Sequence, residues 1–178
     1  MKLVKKWVLP IAFVVLAAVA ILLIALTSVK STDLPLVDSE EYKRVLFGAN
    51  QRIVIASGTT VITELKYGAT VLPLVGWILI VVGLLFGGIS VFALKDSKMK
   101  ALVLVVAALL VIAGGVFQFF MLKQFAKVYS EATGLEFDKA WSYMKDNNFK
   151  CPLATVGGIL ALVSGGVLAV EGLLSAKK

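Results

Sequence analysis

With 178 residues, 60% of them hydrophobic, and a mean hydropathy of +0.96, the chain carries far more apolar surface than a soluble domain of this size can bury, which points to a membrane class. It has no histidine and a single cysteine, Cys151, so the commonest general base and transition-metal ligand are missing and no internal disulfide or dithiol chemistry is available. The net charge of +7 would suggest nucleic acid in a soluble protein, but sorted by loop it reads as topology, and nucleic acid drops out as a partner.

The expected fold is an all-α integral membrane protein with four transmembrane helices in an antiparallel bundle. The spans are 7–29, 71–94, 101–122 and 153–174, each long enough for a hydrocarbon core of roughly 30 Å. Backbone amides in lipid must be satisfied within the segment, so these runs read as helices despite their Val and Ile content.

The N-terminus carries Lys2, Lys5 and Lys6 before its apolar run. That run exceeds a signal-peptide core, and Thr27–Ser31 is a poor cleavage site, so an uncleaved helix is expected. Pro10 is placed in its first turn, where a missing amide proton is tolerated.

The loop 30–70 is too long for a connector and too rich in β-branched residues for a disordered one. Asp38-Ser39-Glu40-Glu41 before Tyr42–Phe47, with Gly48 after, predicts a short helix with an acidic first turn. Arg52–Ala56, a Ser57-Gly58-Thr59 turn and Thr60–Leu65 predict a β-hairpin. A lone hairpin is marginal in water, so this one should rest on the second outer loop or on a partner chain.

In the second span Gly83 and Gly87 form a GxxxG pair, and in the third Gly114 and Gly115 lie at mid-depth. Small residues of this kind let a neighbouring backbone approach closely in lipid. Gln118, flanked by Phe117, Phe119 and Phe120, is expected to bond across helices. The two spans are joined by the inner loop 95–100, with three lysines and Asp96.

The loop 123–152 begins as a continuation of the third helix through Tyr129. Beyond Gly134, Phe137, Ala140, Trp141 and Met144 recur at helical spacing opposite Glu136, Asp138, Lys139, Ser142, Lys145 and Asp146. This predicts a short amphipathic helix. In the fourth span Ala154, Gly158, Ala161, Gly165, Ala169 and Gly172 make one smooth face, used for packing within the bundle or between protomers. Glu171 is the one ionisable group in an apolar run; it lies about 18 residues in, ~27 Å along the helix and close to the inner interface, where lysines can neutralise it.

Orientation follows from basic residues. Segments 1–6, 95–100 and 175–178 hold eight in 16 positions with one acid, whereas 30–70 and 123–150 hold ten in 69 positions with nine acids. The positive-inside rule then places both termini in the cytoplasm and the hairpin and amphipathic helix outside the cell membrane.

The layout of inner termini, a long first outer loop with β-character, a short inner loop and a second outer loop extending the third helix resembles that of the claudins and related four-helix junction proteins. The likeness is one of topology. Lys30 to Thr70 contains neither Trp nor Cys, which are hallmarks of that family's first loop, and barrier or adhesion function is not carried over.

No catalytic, cofactor-binding or metal-ligating constellation is found, and no enzyme is expected. The reading is a single membrane domain whose partners are the lipid bilayer and either a second copy or another membrane protein. The alternative is a small transporter or channel component using Gln118 and Glu171 as intramembrane polar groups.

Overall fold

The computed structural model describes residues 2–31, 41–42, 44–57, 59–94 and 97–176. Six helices and four strands follow in chain order: α1 (Lys2–Ala25), β1 (Val29–Lys30), β2 (Glu41–Tyr42), β3 (Ala49–Ser57), β4 (Thr59–Tyr67), α2 (Val71–Ala93), α3 (Ser97–Gln118), α4 (Met121–Thr133), α5 (Phe137–Asp146) and α6 (Pro152–Ala176). Four of them, α1, α2, α3 and α6, are long and apolar enough to cross a membrane. This is a small polytopic membrane protein of the all-α class.

The four long helices meet through small residues, because only a missing side chain lets two backbones come within van der Waals reach. Along α2 and α3, Gly76 meets Gly114 and Gln118, while Gly83 meets Val111 and Ala107. Contacts thus climb one helix as they descend the other. The same reversal relates α3 to α6, with Gly115 on Gly158 and Ala161, then Ile112 and Ala108 on Gly165, and Leu104 and Ala101 on Gly172. Helix α6 also packs on α1, where Gly157 faces Ile24 and Ala20 and the buried Ser164 hydroxyl donates to the Phe13 carbonyl at 3.1 Å.

Several local expectations are revised. Helix α1 begins at Lys2 rather than Trp7, so Pro10 lies inside the helix instead of in its first turn; the lysines ahead of it are good helix formers and simply extend it. Among the described residues of Tyr42–Phe47 the expected helix is absent. Tyr42 pairs with Val29 in a two-residue ladder, Arg44 adopts φ 54° and residues 45–47 form a turn. Burial of the Tyr42 ring among Tyr67, Phe125, Tyr129 and Phe149 overrides the local acidic start signal; Asp38–Glu40 lie outside the described residues.

Ser97–Lys100, expected as loop, form the first turn of α3, while Lys95 and Asp96 lie outside the described residues. The third helix does not run on through Tyr129. Amides of Phe119 and Phe120 bond three residues back, to Val116 and Phe117 at 3.2 Å each, before α4 restarts at Met121. The break re-phases the chain: Phe119 and Phe120 stay exposed, while Met121, Phe125 and Ala126 become buried. Gly134 then ends α4 in the left-handed region at φ 74°, its N–H donating to the Ser130 carbonyl, a common helix stop.

Candidate functional site

Beyond the ends of the spans, the loops assemble around one tyrosine. Tyr42 is fully buried, with its ring centroid 6.0 Å from Tyr67, 5.1 Å from Phe125, 5.8 Å from Tyr129 and 6.2 Å from Phe149. Tyr143 on α5 stacks on Tyr129 of α4 with planes 9° apart. Edge-to-face and offset contacts of this kind add to the area the rings bury. Burial also pushes the Tyr67 phenol up to about 12, because the phenolate would lose its hydration.

Backbone bonds fasten this cluster to the bundle. The Val45 amide donates to the Thr27 carbonyl at 3.2 Å, just past the end of α1. The Thr70 hydroxyl, ahead of α2, donates to the Val45 carbonyl at 3.2 Å. Lys30 and Lys150 exchange two bonds, Lys30 N–H to the Lys150 carbonyl at 3.0 Å and the return bond at 2.8 Å. Ser31 donates through its hydroxyl to the Asn147 carbonyl at 2.7 Å. The described parts of the two long loops are therefore one subdomain.

The hairpin stands on this platform. Nine residue pairs join β3 to β4, from Ala49 opposite Tyr67 to Ser57 opposite Thr59, and β4 packs on α4. Both strands run further than Arg52–Ala56 and Thr60–Leu65, the limits read from composition. At about 3.4 Å per residue each spans ~30 Å. Among the described residues neither strand has a second neighbour.

The residues expected to pack helices lie as follows. Gly83 meets α3, Gly87 meets Phe13 of α1 and Leu168 of α6, and Gly114 meets Gly76 and Ile80 of α2. Gly115, Gly158, Gly165 and Gly172 lie along the α3–α6 seam with Ala161. Ala154 is fully buried, and Ala169 is partly buried against the core. The smooth face of α6 is thus occupied by α1 and α3 of the same chain.

The two intramembrane polar residues are not brought together. Gln118, 1% exposed, donates through Nε2 to the Pro73 carbonyl at 3.0 Å and to the Gly114 carbonyl at 3.2 Å, fastening α3 to α2. It lies opposite Gly158, and Glu171 is thirteen residues further along α6, about 20 Å away by helical rise. Among the described residues no three His, Cys, Asp or Glu side chains group as metal ligands.

Between the α3–α4 break and the start of α6 lies an open groove of about 450 Å³, lined by Phe119, Leu122, Phe149, Lys150, Pro152 and Val156 among others. Cys151 lies in its wall and is 7% exposed, with its thiol pushed up to about 12 by desolvation. The thiolate is the reactive form. At pH 8, a thiol with that value is ionised roughly a thousandfold less than an ordinary one. Maleimide labelling of the folded protein should accordingly be slow, and unfolding in SDS should make it rapid. Equal rates before and after would show that the thiol is not enclosed.

No family model and no curated protein matches the chain. The functional reading therefore rests on this geometry. Sequence patterns missed the aromatic cluster and the Lys30–Lys150 pair: the i, i+4 spacing of Phe125 and Tyr129 marks one helical face, but nothing local joins it to Tyr42, Tyr67, Tyr143 and Phe149.

Proposed function

We propose that this is a non-enzymatic membrane protein of binding and assembly type, whose hairpin takes an extended segment of a second copy or of another membrane protein. Its four long helices form an antiparallel bundle in the cell membrane. Both termini are cytoplasmic, and the aromatic subdomain and α5 lie outside; the lysine density at the opposite end of the bundle supports that orientation.

The observation that carries the proposal is the two-stranded ladder of β3 and β4. A two-stranded sheet leaves a row of amides and carbonyls along each outer edge, and a hairpin alone is marginally stable. Adding a strand satisfies the edge, with main-chain bonds supplying affinity. The small face of α6, which could have served assembly within the bilayer, is already used inside the chain.

The test is a shortened hairpin in which residues 53–63 are replaced by Asn-Gly, a pair suited to a two-residue turn. Crosslinking in native membranes should trap a dimer or a partner with the full chain and lose it with the shortened one, while the thermal stability of the purified bundle is unchanged. Identical crosslinked species from both chains would refute the assignment.

A further inference from the structure

We propose that the groove between the α3–α4 break and the start of α6 is a binding site for one anionic phospholipid, with its phosphate held at Lys150 and an acyl chain lying along Phe119, Leu122 and Val156. The groove is at the right depth. Gln118 closes α3 and Pro152 opens α6, so the groove sits where two spans end, which is the headgroup zone of a bilayer.

Its lining divides as a phospholipid does. Phe119 and Val156 are 48% and 47% exposed, and together with Leu122 and Pro152 they give an apolar wall open to lipid. Lys150 is exposed at the same groove. The volume falls in the roughly 300–1,000 Å³ range of ligand clefts.

The charge is concentrated by the fold rather than by the sequence. Lys30 and Lys150 are a directly opposed antiparallel pair joined by two backbone bonds, which puts their side chains on one face about 5 Å apart at Cβ. Two cationic side chains held at one place favour an anion beside them. Helix α6 begins two residues after Lys150, and a helix N-terminus adds favourable potential for a phosphate.

The test is native mass spectrometry of the full chain in detergent with an equimolar mixture of phosphatidylglycerol and phosphatidylcholine. One phosphatidylglycerol should be retained in preference to phosphatidylcholine, by roughly fivefold for one lysine at a membrane surface. Lys150→Gln should bring that preference close to one, whereas Lys127→Gln, an exposed lysine on α4 with the same change in net charge, should leave it intact. Val156→Trp should lower retention of phosphatidylglycerol by filling the groove, and Phe119→Ala, which removes part of the same wall, serves if the tryptophan variant does not fold. Equal retention of the two lipids by the unmodified chain would overturn the site, as would a Lys150→Gln variant with unchanged preference. Equal losses in Lys150→Gln and Lys127→Gln would also overturn it, since they would show attraction to overall charge alone.

Discussion

Gly114→Ala should destabilise the bundle by about 2–3 kcal/mol, the range found for overpacking a fitted interior, and Gly166→Ala should change it by no more than about 0.5 kcal/mol. Both residues belong to glycine pairs inside apolar helices, so composition does not distinguish them. At Gly114, a Cβ would overlap the Gly76 carbonyl oxygen and lie 2.7 Å from Cγ1 of Ile80. The first of these is backbone and cannot rotate away, so α2 and α3 must separate. Separation also pulls the Pro73 carbonyl from Gln118 Nε2, adding a lost interhelical bond to the lost packing. Around Gly166 nothing lies within 4 Å of such a Cβ, and the same is true of Gly88. Unfolding titrations in mixed micelles would measure all three variants. A Gly114→Ala protein as stable as Gly88→Ala would mean that the α2–α3 seam is looser than this geometry.

Tyr42→Ala should cost about 3–5 kcal/mol, as for deletion of a large buried ring, with the loss confined to the loop subdomain. The ring touches β4 through Tyr67, α4 through Phe125 and Tyr129, and the segment before α6 through Phe149. Its removal leaves a cavity shared by all three. Amide exchange should therefore accelerate in β3, β4 and α5 and stay slow in α1, α2, α3 and α6. Tyr42→Phe keeps every ring contact and should cost only about 1 kcal/mol for the hydroxyl. If Tyr42→Ala left exchange in the hairpin unchanged, the hairpin would be held by something other than this cluster.

The long helices were legible in the sequence because each is a run of about 20 apolar residues, a signal that needs no knowledge of neighbours. Their ends were not. Charged residues such as Lys2, Lys98 and Lys100 continue a helix readily, so hydropathy stops before the backbone does. The small residues on α6 were visible as a ridge, but which member of a pair is covered was not: adjacent helical residues point about 100° apart, and the choice at Gly165 and Gly166 depends on where α3 lies. In the loops, the acidic segment before Tyr42 imitates a helix start, and the contact that overrules it comes from Phe125 and Tyr129, more than 80 positions away. The Lys30–Lys150 ladder is equally non-local. Pairings at that separation have no periodic trace in a single chain.

The seam between α1 and α6 joins the first helix to the last, through Ser164 and Phe13 and through Gly157 and Ile24. During synthesis α1 enters the membrane more than a hundred residues before its principal neighbour exists. Phe13 can meet Gly87 of α2 beforehand, but Ala20 and Ile24, fully buried once folding is complete, face Gly157 and stay open until α6 arrives. A ribosome stalled before Pro152 would therefore leave an unclosed three-helix intermediate, with the Lys30–Lys150 ladder also incomplete.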